Sequence, residues 1–403
     1  MRAVGHLDAD CFYVSAERVR DSFLLGKPVG VLGNQGACVI AKSYEMKAAG
    51  VKTGVPIWEA IVQCPGGIYV KRDFRWYEVL SRMMLDCVRE VSPRVEYYSI
   101  DEFFWQGEPT YAQDSARTVR DHIKQSVGMP MTVAYARTRT LAKLFADTAK
   151  PFGAVVVTDR DHERELLAEL PVTEIAGIAR RRAARLEPHG IRTCLDLADA
   201  SGLLVRKLLT ISGHDLWLEL NGVQATPIRP HRSPHKMISR GGSLAGRVRD
   251  PFTLYGWLVR NVERLIEELQ YHEVRPKTLT ISVSYHDDDS AGGTVHLNVP
   301  SDRFDVLLEA AKVGLRKAWR TGKTATHMHL IASGLARRGG WQRSLIDTLD
   351  EERVETVAKV KREINERYGR WKLRSGATLF ANDWYDDPAN EHEVCDIRGK
   401  FCF

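Results

Sequence analysis

The sequence predicts an α+β protein of several domains, and three observations carry this. The 403 residues are 44% apolar, enough for more than one core at roughly 100–200 residues per domain. The first 160 residues alternate short apolar runs with helical stripes, the pattern of strands and helices around one core. Then a Pro-rich, basic stretch, Thr226-Pro227-Ile228-Arg229-Pro230-His231-Arg232-Ser233-Pro234-His235-Lys236, separates this part from a second run of strands and helices. Pro stiffens such linkers.

Each element has a local reason. Residues 3–7 form an apolar strand that ends in acids. A helix-like segment begins over 15–21, and residues 28–32 and 37–41 are short strands. Residues 56–62 form a brief helix stopped by Pro65-Gly66-Gly67, and Val70 closes a further strand. Asp73 is placed to cap a helix with Phe74, Tyr77, Met84, Cys87, Val88 and Val91 on one stripe. Pro93 ends that helix, and a second acid-ended strand follows. Residues 112–127 are helical and 131–136 a strand. The stretch from Val172 to Ile191 reads as a helical hairpin around Gly177. Glycine there lets backbone N–H groups approach a phosphate. After the linker come strand 239–248, helix 251–271, strands 277–286 and 293–299, helix 301–321 and strand 326–334, a βαββαβ order. Residues 341–368 are charged and helical.

Net charge is +6, but it is unevenly placed. Between Arg229 and Arg343 there are 19 Lys+Arg against 11 Asp+Glu, leaving 39 against 41 elsewhere. A local excess of this kind suits a phosphate backbone. The seven cysteines (Cys11, Cys38, Cys64, Cys87, Cys194, Cys395 and Cys402) show no Cys-x-x-Cys and no zinc-finger spacing. Reduced thiols in a cytosolic protein are the simplest account. There is no signal-like N-terminus, no apolar run of the ~18 residues a membrane span needs, and no internal repeat.

The acids carry the chemistry. Asp8 ends Val4-Gly5-His6-Leu7-Asp8-Ala9-Asp10-Cys11-Phe12-Tyr13. Asp101 and Glu102 lie in Tyr97-Tyr98-Ser99-Ile100-Asp101-Glu102-Phe103-Phe104. If the two strands lie side by side, three carboxylates meet at one end of a sheet. Hard cations take such oxygen ligands. Two ions about 3.5–4 Å apart can activate a hydroxyl and stabilise a leaving pyrophosphate.

The first segment resembles the Asp-x-Asp-x-Phe-(Phe/Tyr) opening of Y-family, lesion-bypass DNA polymerases (the polymerase IV and UmuC group), and the second their Ser-x-Asp-Glu motif. The stretch from Ala41 to Pro56, Ala41-Lys42-Ser43-Tyr44-Glu45-Met46-Lys47-Ala48-Ala49-Gly50-Val51-Lys52-Thr53-Gly54-Val55-Pro56, resembles their finger segment. Thr138-Arg139-Thr140-Leu141-Ala142-Lys143-Leu144-Phe145-Ala146-Asp147-Thr148-Ala149-Lys150-Pro151 resembles their palm helix. The resemblance implies a right-hand polymerase: palm at 1–13 and 68–160, fingers at 14–67, a helix-hairpin-helix thumb at 161–228, a linker at 229–238, a DNA-binding little finger at 239–338 and an extension at 339–403.

The resemblance further implies that Asp8, Asp101 and Glu102 bind two Mg²⁺ ions (Mn²⁺ being an alternative), with the Ala9 carbonyl. Asp10 would be a structural acid. Tyr13 would be the steric gate, a ring that leaves no room for a 2′-hydroxyl. Phe12, Tyr13, Tyr44, Lys47 and Lys150 would bind the dNTP. Lys47 stands where Arg is common, giving a point charge rather than a fork. Gly177, Ala179, Arg240, Arg247, Arg249 and Lys277 would contact DNA, although Ala179 stands at the usual second hairpin Gly. Ala134 and Tyr135 replace a common Gly-Ile pair in the palm strand. The implied partners are primer-template DNA and dNTP. Ala377-Thr378-Leu379-Phe380 resembles the apolar end of a sliding-clamp peptide without its usual Gln, so a sliding clamp is one candidate partner; the alternative is a C-terminal segment that folds back on the palm. The protein would be monomeric, cytoplasmic and nucleoid-associated. The alternative is an inactive, Y-family-like accessory protein of a mutagenesis complex. Such proteins lose a metal carboxylate, and all three are present. A nuclease or cyclase would need no ribose gate.

Overall fold

The computed structural model describes residues 3–33, 38–107, 112–231, 234–287, 289–337, 348–369 and 371–381. They fall into two compact units, parted between Arg232 and Ser233 inside the expected linker.

The first unit runs β1 (Ala3–Ala9), α1 (Phe12–Arg20), β2 (Val29–Leu32), β3 (Val39–Lys42), α2 (Tyr44–Ala48), α3 (Ile57–Gln63), β4 (Ile68–Lys71), α4 (Phe74–Val91), β5 (Val95–Tyr97), β6 (Glu102–Gly107), α5 (Ala112–Val127), β7 (Met131–Ala136), α6 (Arg139–Thr148) and β8 (Ala154–Val157). Its main sheet has the order β5-β6-β1-β7-β8. The two acid-ended strands are neighbours, as the sequence predicts, and β1 lies between β6 and β7. Every residue of β1 is buried. One face packs with α4 and α5 around Leu7, Phe103 and Trp105. The other packs with α6 around Val4 and Phe104. A strand covered on both faces reads as a continuous apolar run, which is why residues 3–7 show no alternation. Gly5 is required there: a Cβ would sit 2.2 Å from the Trp105 ring, which is fully buried and donates through Nε1 to the Tyr135 hydroxyl.

Three local expectations shift. The first helix begins at Phe12, not residue 15, because Cys11 adopts a left-handed conformation (φ 47) that reverses the chain directly after Asp10. In α4 the Asp73 cap forms and Tyr77, Leu80, Met84 and Val88 are buried, but Val91 is exposed and lies off the stripe. The strand closed near Val70 pairs in parallel with β2, in a small sheet of order β3-β2-β4. Residues 68–71 therefore belong with the preceding segment rather than with the main sheet.

Next come α7 (Arg160–Glu169), α8 (Arg180–Leu186), α9 (Cys194–Asp199) and α10 (Gly202–Leu220). The expected hairpin is present in shortened form. Its first arm is a single 3₁₀ turn, Val172–Glu174; Gly177 has φ +97, and Ala179 is the residue before α8.

The second unit runs β9 (Met237–Val248), α11 (Pro251–Tyr271), β10 (Val274–Arg275), β11 (Thr278–Tyr285), β12 (Ser290–His296), α12 (Phe304–Ala318), β13 (Ala325–Ser333), β14 (Ala336–Arg337) and α13 (Thr348–Tyr368). The βαββαβ order stands, with one added two-residue pair, β10 with β14. The main strands form an antiparallel sheet of order β12-β11-β13-β9. Strand β11 alternates strictly: Leu279, Ile281, Val283 and Tyr285 are buried and Thr278, Thr280, Ser282 and Ser284 are not. That is the signature of a sheet covered on one face. Helix α12 lies so close that a Cβ on Gly293 would come 2.2 Å from the Gly314 carbonyl oxygen. Glu263 of α11 accepts hydrogen bonds from Lys361 of α13 and, beyond that helix, from the amide and hydroxyl of Ser375. Part of the helix expected over 341–368 lies outside the described residues. No helix among the described residues is long and apolar enough to cross a membrane.

Candidate active site

Strand pairing sets the acids. Asp8 faces Glu102 across the β1–β6 ladder and Thr132 across the β1–β7 ladder. The Ala9 amide donates to the Asp101 carbonyl at 3.0 Å, which locks the second motif against the first. Each carboxylate then has its own partner. Lys150 Nζ lies 2.8 Å from Asp8 Oδ2 and 2.8 Å from Asp147 Oδ1. Lys143 Nζ is bonded to Glu102 Oε1. Ser99 Oγ donates to Asp101 Oδ1.

Burial dominates the electrostatics. It pushes the Asp8 carboxyl up to about 7; Lys150 opposes this, while Glu102 and Asp101 add to it. Burial also raises Asp101. For Lys150, burial disfavours the charge, but Asp8 and Asp147 outweigh it and hold the ammonium above its ordinary value. His6, two residues before Asp8, is fully buried, and neither ring nitrogen has a hydrogen-bond partner among the described residues. Its ring lies 4.4 Å from Phe104, and burial holds it well below its usual pKa.

Asp10 turns away from this cluster. It is buried and accepts from the Phe152 amide at 2.7 Å, from Thr132 Oγ1 at 3.2 Å and from the Tyr44 hydroxyl at 3.4 Å. These contacts tie the α2 segment and the turn after Lys150 to the end of β1. Tyr44 and Lys47 are three residues apart on α2, which Ser43 caps through the Met46 amide. Lys47 is exposed. The Tyr13 ring stacks on Tyr77 with centroids 4.7 Å apart and planes 19° from parallel, and Phe74 meets it edge-on. Tyr77 is pinned in turn by its hydroxyl, which donates to Glu17 at 2.7 Å. Phe12 is buried beside Tyr13.

The donor set, carboxylates and a carbonyl, fits a hard divalent cation. The side chains are not gathered as a ready cage, however. Among the described residues no three acid, histidine or cysteine side chains are grouped to hold an ion. One oxygen of each acid is engaged, by an ammonium for Asp8 and Glu102 and by a hydroxyl for Asp101. Lys143, Asp147 and Tyr77 are the residues that sequence reasoning missed as site members. Their signal was position. Lys143, Asp147 and Lys150 recur every three to four residues from α6 into the turn after it, so they share the side that meets the acidic strand ends.

The expected DNA contacts divide. Gly177 and Ala179 are exposed on the hairpin beside exposed Arg180 and Arg181. Arg247, Arg249 and Lys277 are exposed in the second unit, with Arg249 Nε donating to Thr324 Oγ1 at 2.8 Å. Arg240 is a correction. It shares the parity of buried Ile238 and Leu244 and pairs across the ladder with buried Leu330. Its guanidinium is ion-paired with the buried Glu268 of α11, on the helix-covered face rather than the open one.

A main sheet with acids at the ends of two adjacent strands, followed in the chain by a stacked tyrosine and a lysine turn, is the arrangement expected of a palm-bearing nucleotidyltransferase. Comparison with known proteins identifies which. Residues 7–147 match the model of the impB/mucB/samB family, and residues 235–345 match that of the family's C-terminal domain. The chain is 30% identical over 390 residues to "DNA polymerase IV 1" of Bacillus subtilis (strain 168), covering 94% of this chain and 93% of that one. It is 31% identical to a DNA polymerase IV of Oceanobacillus iheyensis, over 79% of this chain and 78% of that one. It is 29% identical to the UmuC protein of Salmonella typhimurium, over 84% and 85%. A solved Y-family DNA polymerase chimera of Dbh and Dpo4 superposes with a TM-score of 0.72 at 23% identity, covering 83% of this chain and 99% of that one; this likeness shows the fold. The chain belongs to the Y-family of DNA polymerases, and it is a DNA-directed DNA polymerase of the translesion class.

Proposed function

We propose that the chain extends a primer 3′-hydroxyl on a DNA template with low fidelity, past damaged bases, by two-metal phosphoryl transfer with Mg²⁺. The observation that supports this best is the register of Asp8 with Glu102, held by the Ala9–Asp101 bond, beside a Tyr13 ring clamped on Tyr77. Bound divalent ions would lower the hydroxyl's pKa and neutralise the leaving pyrophosphate. Asp8, Asp101, Glu102 and the Ala9 carbonyl would hold them.

The remaining work falls to the chain. Lys150 stays charged in its half-buried setting and would bind triphosphate oxygens, with Asp147 left as its anchor. Tyr44 and Lys47 present a hydroxyl and an ammonium from one side of α2. Asp10 sets the distance between Tyr44 and the Lys150 turn, so positioning, the main requirement of phosphoryl transfer, is built into β1. The stacked Tyr13 ring excludes a 2′-hydroxyl by clash, because Tyr77 leaves it nowhere to retreat. Primer-template DNA and dNTP are the substrates. Gly177 and Ala179 of the hairpin, with Arg247, Arg249 and Lys277, supply phosphate contacts that position rather than read the duplex. A clamp is a further partner to test at residues 377–380. Thr378 there is buried and Leu379 exposed, so docking by the whole tetrapeptide would require its release.

The test is primer extension on undamaged and abasic templates with Mg²⁺ and each dNTP, beside the double variant Asp101→Ala, Glu102→Ala. Extension by the wild type alone, continuing past the abasic site, is expected. No extension by either protein, with DNA binding intact, points to the accessory-protein reading.

A further inference from the structure

The ion pairs at the acids are unequal. When Lys150 leaves Asp8 it keeps Asp147, so its charge is never stranded. Lys143 has no such reserve: Glu102 is its one carboxylate partner among the described residues. Both ends of that pair are less than one fifth exposed, so solvent screens it less than a surface bridge. Around it stand the Tyr98 ring, 5.8 Å from Nζ, and Arg139 one turn earlier, which is committed to Glu96 at 2.8 Å and lies over Phe104. Another cation sits beside Lys143, and Asp101 acts on it through space without an ion pair to it.

We infer that Lys143 is a positioning residue that sets the threshold for metal loading: its ammonium neutralises Glu102, and a divalent ion gains that carboxylate only by displacing it. This rests on the metal-dependent reading above. Lys143 would serve as a built-in competitor, so that the acids stay compensated until an ion and a substrate phosphate arrive together. The phosphate would give the displaced ammonium a new partner. Ion and substrate binding would then be positively coupled, and reciprocally so.

The sign of one measurement separates this from a purely structural role. Mn²⁺ binding is followed by the electron paramagnetic resonance signal of the free ion, without DNA or dNTP, for wild type, Lys143→Met and Lys143→Arg. Removing the competing charge should tighten Mn²⁺ about tenfold in Lys143→Met, a size suited to one partly buried unit charge. Lys143→Arg should stay within about twofold to threefold of wild type. A Lys143 that merely braces the site predicts the opposite, weaker binding by the Met variant. Unchanged or weaker binding by Lys143→Met, with wild-type circular dichroism, overturns the inference. If Lys143→Met does not fold, Lys143→Gln is measured by the same two criteria. Adding primer-template and dNTP to the wild type should tighten Mn²⁺, and should do so less in Lys143→Met; equal tightening in both overturns the coupling. Because binding is read without turnover, a failed primer extension and a failed threshold remain distinguishable.

Discussion

The five-stranded sheet of the first unit is covered on both faces, and the four-stranded sheet of the second on one. In the first, β1 buries an acid, Asp8, and an imidazole, His6, whose ring nitrogens have no hydrogen-bond partner among the described residues. In the second, the outward positions of β11 are hydroxyl residues. The covered sheet places charge where burial makes charge costly, and chemistry can use that setting. The half-open sheet keeps its polar groups in water, where they cost little and change little. The two sheets should therefore respond to mutation in opposite ways.

The largest separation is expected at Asp8. Asp8→Asn should lower primer extension at least a thousandfold, or about 4 kcal/mol of barrier, because an amide cannot replace an anionic ligand. Yet the urea midpoint should not fall. The variant removes a charge that burial opposes and leaves Lys150 paired with Asp147. If Asp8→Asn unfolds more easily than wild type, the acid is structural and the contrast between the sheets fails.

The next effect compares two glycines. Gly5→Ala drives a Cβ into Trp105, a buried ring tied to Tyr135. Gly293→Ala meets the backbone of α12 at the same 2.2 Å. Overpacking costs about 1–3 kcal/mol. Gly5→Ala should reach the upper end or beyond, since Trp105 is fully buried and held by its bond to Tyr135. Gly293→Ala should cost about 1–2 kcal/mol, because residues such as Leu308 and Leu315 on α12 are only partly buried and the helix can move outward. Urea midpoints in the reverse order would show that the half-open sheet is the more rigid.

Much of this was legible in the sequence. The acids could be read because Asp8, Asp101 and Glu102 interrupt apolar runs. The βαββαβ order could be read because one-sided burial imposes alternation on strands such as β11. Other features were not. The early start of α1 depends on one left-handed residue, Cys11, whose conformation no composition reports. Arg240 was misplaced because charge alone suggested a surface; its parity with Ile238 and Leu244 pointed inward, toward Glu268. The pairing of Lys143 with Glu102 joins residues 41 apart and emerges only when α6 packs beside β1. Residues 395–403, which include Cys395 and Cys402, lie outside the described residues.

A smaller effect sharpens the gate. Tyr77→Leu removes the stacked ring behind Tyr13 while keeping an apolar filler. A stacked aromatic pair contributes about 0.5–1.5 kcal/mol beyond area, so discrimination of dNTP over rNTP, read as the ratio of kcat/KM, should fall roughly threefold to tenfold. Tyr13→Ala should abolish most of that discrimination. Unchanged selectivity in Tyr77→Leu would mean that Tyr13 needs no backing.

The smallest effect belongs to the open face. The Thr280 hydroxyl lies 3.0 Å from that of Thr294 on the next strand, a cross-strand pair exposed to water. Thr280→Val loses that bond, worth a few tenths of a kcal/mol where solvent can replace it. The new side chain keeps the β-branched shape that strands favour. The two terms oppose, so the unfolding free energy from urea denaturation should move by no more than about 0.5 kcal/mol in either direction. A loss above about 1 kcal/mol would mean that the hydroxyl ladder helps to hold the sheet together. Its outward polar groups would then be structural, like the buried ones of the first sheet, and water would not be what sets the two sheets apart.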